Sequence, residues 1–128
     1  MNNKTLSSGL EDYLEIIFNY LETKGVVKAI DISKELDVSR ASVTDALQRL
    51  AEKKYISYER YGKIEITEKG VDKAKEVIDK HIILTDFFQN ILKLDYEEAS
   101  ENACKIEHVI TQNAFDKLKK YTENHKIK

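Results

Sequence analysis

Three neighbouring residues combine side chains that bind transition metals. Cys104, Glu107 and His108 offer a thiolate, a carboxylate and an imidazole. At 100° per residue they project at about 0°, 300° and 40°, so on a helix they would share one arc about 100° wide. Ile106 projects to the other side, where it can pack. The set predicts a metal site, although a lone triplet suits a partly buried cysteine beside a solvated acid and imidazole equally well.

Two other places in the chain carry potential metal ligands. His81 lies within the apolar stripe of a predicted helix, where it is either a hydrogen-bonded core histidine or a ligand held in a dry setting. Asp12 and Glu15 are three residues apart on another predicted helix and therefore share a face. Taken alone, His81 favours the core interpretation, and the acidic pair favours a solvent-facing surface.

The composition limits the classes of protein to which the chain can belong. Its 128 residues exclude a large multidomain enzyme. The 21 Lys and Arg against 23 Asp and Glu argue against coating nucleic acid through bulk charge. We expect a cytoplasmic protein without a membrane partner, because the sequence contains no apolar run of membrane-spanning length and its N-terminus is polar. The single cysteine excludes an internal disulfide, and the absence of proline favours helices.

Apolar residues at three- and four-residue steps predict the helices of the N-terminal half. The apolar stripe of the first helix runs from Leu10 to Glu22, and Lys24 and Gly25 are expected to end the helix. A second helix of about two turns follows, and Ser39 is expected to cap a third. The inward positions of the third helix are Val43, Ala46, Leu47 and Leu50. The pattern predicts two helices that are joined by a tight turn.

The segment from Tyr55 to Thr67 changes to a period of two, which indicates a β-hairpin with its turn at Tyr61 and Gly62. A hairpin directly after a helix-turn-helix makes a winged helix. Thr67 is expected to cap a long fourth helix, whose apolar stripe extends to Phe88.

Two further helices are predicted in the C-terminal half, from Tyr96 to Thr111 and around Ala114 to Tyr121. The fold class is therefore mainly α. We expect a winged helix-turn-helix DNA-binding domain over residues 1–72, followed by a helical domain over residues 73–128.

The outward face of the third helix and the wing carry groups that can contact DNA. Residues 40–63 hold six basic and three acidic side chains, whereas the whole chain has a net charge of -2. The candidate DNA-binding residues are Ser39, Arg40, Ser42, Thr44, Gln48 and Arg49 on the helix and Arg60 and Lys63 on the wing. Residue by residue, an ordinary solvated face explains them as well. The ordered set favours DNA binding over a protein-interaction module.

Three segments resemble the metal-dependent diphtheria-toxin-repressor and manganese-transport-regulator family over nearly the entire chain. They are Leu-Glu-Asp-Tyr-Leu-Glu at 10–15, Lys80-His81, and Cys-Lys-Ile-Glu-His at 104–108. The resemblance implies that residues 73–128 form a metal-binding and dimerisation domain. It also implies a homodimer that represses metal-uptake genes by binding an operator in double-stranded DNA. The metal ligands that it implies are Asp12, Glu15, His81, Cys104, Glu107 and His108.

The resemblance is divided between two branches of that family. Asp12 and Glu15 look like the manganese regulators, which have glutamate where Cys104 stands. Cys104 looks like the iron-responsive repressors, which have methionine where Asp12 stands. The iron branch's ancillary site uses glutamate and histidine where this chain has Thr85 and Ser100, so we expect that site to be altered. This mixture of residues from the two branches implies Mn(II) or Fe(II) as effector, with Zn(II) or Co(II) binding in vitro.

Two alternatives to a metal-activated regulator follow from the sequence. Cys104 and His108 are one helical turn apart and could form the nucleophile and base of a hydrolase. However, the sequence has no evident oxyanion cradle, phosphate loop or region for a small organic substrate, and a thiol in the middle of a helix lacks the helix N-terminus that lowers its pKa. The other alternative is a metal-independent winged-helix regulator whose C-terminal helices serve dimerisation alone.

By the same resemblance, we expect this chain to be a short form of the family, without the β domain that longer members carry.

Overall fold

The computed structural model describes residues 6–59 and 62–125, and the chain divides into two compact units, Met1–Lys75 and Glu76–Lys128. In chain order the elements are α1 (Ser8–Lys24), α2 (Ala29–Leu36), α3 (Arg40–Glu52), β1 (Ile56–Tyr58), β2 (Ile64–Ile66), α4 (Glu68–Asp86), a π-helical turn (Phe87–Ile91), α5 (Tyr96–Ile106) and α6 (Gln112–Asn124). Within the described ranges, no helix has both the length and the apolar character needed to span a bilayer.

Helix α1 is longer than its apolar stripe predicts, because both ends are capped. The Ser7 side chain accepts a hydrogen bond from the Leu10 N–H at 3.3 Å, which satisfies one of the unpaired donors of the first turn. At the other end Gly25 adopts φ 78°, and its N–H donates to the carbonyl of Leu21. The predicted stop at Gly25 is confirmed, whereas the predicted start is two residues late.

The turn between α2 and α3 is fixed by local polar contacts. Asp37 adopts the left-handed conformation with φ 55° and ends α2, and the Ser33 hydroxyl donates to the carbonyl of Val38 at 2.6 Å. Ser39 caps α3, as predicted, by accepting from the Ser42 N–H at 3.1 Å. The four predicted inward residues of α3 are all buried: Val43, Ala46, Leu47 and Leu50.

The predicted hairpin is present as two short antiparallel strands. Ile56 pairs with Ile66, and Tyr58 pairs with Ile64. The predicted turn residue Tyr61 lies outside the described residues, whereas the Gly62 N–H donates to the Glu59 carbonyl at 2.7 Å. The helix-turn-helix with this hairpin confirms the winged-helix prediction.

Thr67 connects the hairpin to the start of α4. Its hydroxyl accepts from the Gly70 N–H at 3.0 Å, which confirms the predicted cap. The same hydroxyl lies within donating distance of two carbonyls, that of Lys54 at 2.7 Å and that of Tyr55 at 2.9 Å. The two chain segments approach so closely that a Cβ at Gly70 would lie 2.1 Å from the Tyr55 carbonyl oxygen. A glycine is therefore required at this helical position.

The core of the first unit is formed by α1 to α3, the hairpin and the start of α4. Leu14, Ile17 and Ile32 are among its fully buried side chains, each of which stabilises the fold by about 1.5 to 3 kcal/mol. At its edge the Lys73 ammonium lies 3.4 Å from the Glu11 carboxylate, whose side chain is only 8% exposed. This pairing allows an acidic side chain of α1 to be buried.

In the second unit, the predicted stripe of α4 ends in a π-helical turn. There the Leu92 N–H donates to the carbonyl of Phe87, five residues earlier. Asp95 then caps α5 by accepting from the Glu98 N–H at 2.9 Å. The core of this unit contains Leu84 of α4, Ala103 of α5 and Phe115 of α6.

The prediction that α5 extends from Tyr96 to Thr111 is wrong, because the helix ends at Ile106. Val109 and Ile110 both donate their N–H groups to the Ile106 carbonyl, which makes a turn. Thr111 has extended backbone, φ -71° and ψ 155°, because its side chain caps α6 by accepting from the Ala114 N–H. A residue that caps the next helix cannot continue the preceding one.

Candidate metal centre and nucleic-acid interface

A buried carboxylate at the end of α5 contacts the histidine in the middle of α4. The Nδ1 atom of His81 lies 2.7 Å from Oε1 of Glu107. The Glu107 side chain is 2% exposed, and the His81 side chain is 28% exposed. Leu84, one turn after His81, packs in the same core as Ala103, one turn before Glu107. This apolar packing positions the two polar groups against each other.

His108 contacts the other oxygen of the same carboxylate. Its Nε2 atom lies 3.3 Å from Oε2 of Glu107, and its side chain is 7% exposed. Glu107 is the C-cap residue of α5, and His108 follows in the turn that begins there. One carboxylate therefore contacts two imidazoles, and all three groups belong to the second unit.

Two hydroxyl groups that the sequence patterns did not single out as site residues also contact His81. The Oγ atom of Ser100 lies 3.3 Å from His81 Nε2, and the Thr85 hydroxyl donates to the backbone carbonyl of His81 at 2.7 Å. Thr85 follows His81 by one turn of the same helix, so its spacing could have revealed the backbone contact. Ser100 belongs to α5, and periodicity within one helix does not reveal which residue of another helix lies opposite.

The remaining predicted ligands lie on two helices. Cys104 is an exposed residue of α5, one turn before the cluster. Asp12 and Glu15 are partly buried residues of α1 in the first unit. The prediction that Cys104, Glu107 and His108 project from one helix is corrected by the end of α5 at Ile106. The Glu107 N–H still donates to the Ala103 carbonyl, so the helical path continues for one residue.

The donor chemistry of the cluster fits a divalent transition-metal ion. Imidazole nitrogen and carboxylate oxygen are both ligands of manganese, iron, cobalt and zinc. Glu107 and His108 each offer a ligand atom, and these atoms lie within 4.8 Å of one another. Because Glu107 is buried, its negative charge needs a compensating partner, which a protonated imidazole or a cation can supply.

The predicted DNA-binding residues of the first unit lie where a ligand can reach them. Ser39 at the helix cap, Lys63 in the hairpin and the five named residues within α3 are all exposed: Arg40, Ser42, Thr44, Gln48 and Arg49. Arg49 Nε forms an ion pair with Asp45 at 2.8 Å across one turn of the helix. Arg60 lies outside the described residues.

A groove of about 740 Å³ separates the outward face of α3 from the hairpin. Arg40, Thr44 and Gln48 line it on the helix side, and Tyr58 belongs to its other wall. Lys28 also lines the groove, although the sequence patterns did not identify it because it precedes α2 rather than belonging to α3. The groove therefore combines hydrogen-bonding side chains with two cations, Lys28 and Arg40.

These features together define a class of protein. A winged helix-turn-helix with an exposed polar α3 has the architecture of a DNA-binding regulator. A carboxylate between two imidazoles in the helical second unit adds a group that can bind a divalent cation.

The chain belongs to the iron-dependent repressor family. Residues 5–64 match the family described as "Iron dependent repressor, N-terminal DNA binding domain". Residues 67–127 match the one described as "Iron dependent repressor, metal binding and dimerisation domain". The family resemblance of the sequence is thus confirmed. The protein is a metal-dependent, DNA-binding transcription regulator with a dimerisation domain, and neither the hydrolase nor the metal-independent regulator describes this family.

Two curated relatives cover most of the chain. An uncharacterised HTH-type transcriptional regulator of Methanocaldococcus jannaschii is 36% identical over 96% of this chain and 99% of its own. The HTH-type transcriptional regulator MntR of Listeria welshimeri is 34% identical over 91% of this chain and 83% of its own.

Solved structures agree with the fold. IdeR of T. acidophilum is 28% identical with a TM-score of 0.75, covering 88% of this chain and 53% of the other. A manganese-dependent transcriptional repressor in complex with manganese is 21% identical and matches in fold, with a TM-score of 0.80 over 89% of this chain and 52% of the other. The chain therefore spans about half the length of these two solved proteins.

Proposed function

We propose that this protein represses metal-uptake genes and that Mn(II) or Fe(II) raises its affinity for operator DNA. The observation that carries the proposal is the buried Glu107 carboxylate, which contacts the imidazoles of His81 and His108. A cluster of this kind in the unit that matches a metal-binding and dimerisation domain is well suited to sense a divalent cation.

The proposed ligands have two sources of support. Contacts within the second unit support His81, Glu107 and His108. The order and spacing of residues in the family support three more ligands: Asp12, Glu15 and Cys104. The boundary of the metal-binding domain, proposed at residues 72 and 73 from the sequence, lies within α4.

The choice of metal follows from ligand chemistry. Carboxylate oxygens of Asp12, Glu15 and Glu107 suit manganese, whereas the thiolate of Cys104 shifts the preference towards iron, cobalt or zinc. We therefore propose Mn(II) or Fe(II) as the effector in the cell, and binding of Zn(II) or Co(II) in vitro. A similar fold is known in a manganese-dependent repressor complex and in ScaR with bound zinc.

The bound cation would supply positive charge that allows several carboxylates to be ordered together. Without it, Asp12, Glu15 and Glu107 repel one another wherever they approach. Asp12 and Glu15 belong to α1, and Glu107 lies at the end of α5. A bound ion would lower the free-energy cost of ordering these carboxylates together. If the ordered state is the one that binds DNA, metal and operator bind with positive coupling.

The proposed DNA contacts use the exposed face of α3 and the hairpin. Thr44 and Gln48 in the groove would form hydrogen bonds with base edges in the major groove, while Lys63 and Arg60 would contact phosphates. In a homodimer, two such helices would contact half-sites about 34 Å apart. We propose that this takes place in the cytoplasm.

The test is fluorescence anisotropy of labelled DNA from upstream of this gene and from a metal-uptake promoter. The full chain is titrated under anaerobic conditions in chelator, in manganese and in iron(II). We expect at least one ion to raise affinity tenfold or more, about 1.4 kcal/mol of coupling. His108→Ala should abolish the response, whereas His125→Ala, which changes an exposed histidine after α6, should keep it.

Two results would contradict the proposal. Tight operator binding in chelator that no ion changes would remove metal sensing while keeping DNA binding. A full metal response in the His108→Ala protein would mean that the cluster around Glu107 is not the sensor.

A further inference from the structure

We propose that Ser100 is a positioning residue that orients the imidazole of His81 for metal binding. The role rests on the proposed function, in which His81 is a ligand. The two nitrogens of the ring have different neighbours: Nδ1 lies 2.7 Å from the Glu107 carboxylate, and Nε2 lies 3.3 Å from the Ser100 hydroxyl. The ring is thereby held at both ends.

The contact with Glu107 identifies Nδ1 as the nitrogen that faces the donor cluster. Glu107 also contacts His108, so Nδ1 of His81 and Nε2 of His108 converge on one carboxylate. Nε2 of His81 instead contacts Ser100, which lies within α5. In this arrangement Nδ1 would be the nitrogen that holds the ion, and the Ser100 hydroxyl on Nε2 would orient the ring.

A hydroxyl is suited to hold this ring because the ring has two neutral tautomers. When Nδ1 carries the proton it donates to the Glu107 carboxylate, and Nε2 can accept from the Ser100 O–H. If Nδ1 held a cation through its lone pair, the ring proton would lie on Nε2, which would then donate to Ser100 Oγ. A serine hydroxyl both donates and accepts, so it keeps the ring in one orientation in both tautomers.

Thr85 provides a matched comparison. Its hydroxyl also contacts His81 but donates to the backbone carbonyl, at 2.7 Å, and Thr85 itself is 7% exposed. Removing that hydroxyl by Thr85→Val alters a contact with the helix backbone and leaves both ring nitrogens with their partners. An effect on the ring that Ser100→Ala produces and Thr85→Val does not is therefore specific to the hydroxyl on Nε2.

The first experiment examines the metal-free protein. The full chain is labelled with ¹⁵N-histidine and studied in chelator by long-range ¹H–¹⁵N correlation NMR, with His81→Ala used to assign the resonances. We expect Ser100→Ala to shift the Nε2 resonance of His81, and we expect Ser100→Thr and Thr85→Val to leave it near its original position. An unchanged Nε2 resonance in Ser100→Ala overturns the proposal.

The second experiment measures binding of manganese alone, from the EPR signal of free Mn(II). Groups that hydrogen-bond to a metal ligand typically contribute about tenfold to a hundredfold in metal affinity, so Ser100→Ala should weaken binding by about that factor. Ser100→Thr retains a hydroxyl and should bind almost as tightly as the unmodified chain. In a His81→Ala background, Ser100→Ala should cause no further loss, because the residue acts through that ring.

The outcomes separate this role from the proposed function. Manganese binding that is weakened in His81→Ala but unchanged in Ser100→Ala overturns only the role of Ser100. The same loss from Ser100→Ala with and without His81 also overturns it, because the effect would then be a general structural one. Failure of the unmodified chain to bind manganese, iron(II), cobalt or zinc overturns the proposed function and this role together.

Discussion

Oε1 of Glu107 lies 2.7 Å from Nδ1 of His81, and this contact joins the end of α5 to the middle of α4. Glu107 is almost fully buried, so its charge is stabilised by neighbouring groups rather than by water. The other oxygen contacts His108. Replacing Glu107 by an uncharged residue of the same size is therefore the most direct test of the cluster.

Glu107→Gln should weaken manganese binding by tenfold or more. The substitution keeps the size of the side chain but removes the charge that attracts a cation and replaces one oxygen by an amide donor. Calorimetric titration of the full chain with manganese checks this expectation. The metal response of operator binding should fall in the same variant, because both depend on the same ligand.

The matched control is Glu101→Gln, which makes the same change at an exposed position of α5. Its manganese affinity should equal that of the unmodified chain. If both variants lose affinity to the same degree, the effect reports general electrostatic attraction, and Glu107 is not a specific ligand.

Gln48→Ala should reduce discrimination between operator and unrelated DNA. Gln48 is exposed on α3 and lines the groove beside the hairpin, where its amide can both donate to and accept from a base edge. The expected loss is about 1 to 3 kcal/mol for the operator and little for unrelated DNA. Anisotropy with both DNAs in saturating metal measures it. Gln112→Ala on α6 serves as the control, and equal losses on both DNAs would contradict a base contact.

The sequence predicts which face of α3 is exposed because the information needed is local. The burial of Val43 and Leu47 and the exposure of Thr44 and Gln48 follow from a period of 3.6 residues around a cap at Ser39. The cap at Thr67 follows in the same way from a polar residue before an apolar stripe. Periodicity and capping therefore recover helices, their faces and the hairpin.

The contacts between helices could not be predicted in this way. His81 and Ser100 are 19 residues apart, and neither stripe reveals which residues of α4 and α5 meet. The end of α5 at Ile106 depends on the need for Thr111 to cap α6, which competes with continued helical periodicity. The resemblance marked Thr85 and Ser100 only as positions where an ancillary metal site is expected to be altered. Only the structure brings both hydroxyls to His81.

Lys63→Ala should weaken binding to every DNA sequence by a similar factor. Lys63 is an exposed cation of the hairpin, and a phosphate contact carries no sequence information. The slope of log affinity against log salt should become shallower by about one unit, because one fewer counterion is released. Lys120→Ala removes the same charge from α6 and should leave the slope unchanged. A loss confined to the operator would instead indicate a base contact by Lys63.

Gly70→Ala should destabilise the protein, although alanine is normally the better helix former. A Cβ at this position of α4 would lie 2.1 Å from the carbonyl oxygen of Tyr55, and backbone cannot move aside as the end of a flexible side chain can. Overpacking of this kind costs about 1 to 3 kcal/mol. Gly9 in α1 is the matched control, because nothing lies within 4 Å of a Cβ there, and Gly9→Ala should stabilise by up to about 1 kcal/mol.

Urea denaturation in chelator, followed by circular dichroism, measures both changes without a contribution from bound metal. Opposite signs for Gly70→Ala and Gly9→Ala are expected because helix propensity favours alanine equally in both cases, so the difference isolates the clash with Tyr55. The lower stability of Gly70→Ala should also weaken operator binding at urea concentrations near the unfolding midpoint, since Thr67 and Gly70 connect the hairpin to α4. If Gly70→Ala proves as stable as Gly9→Ala, then Tyr55 and the start of α4 can move apart without a cost in free energy.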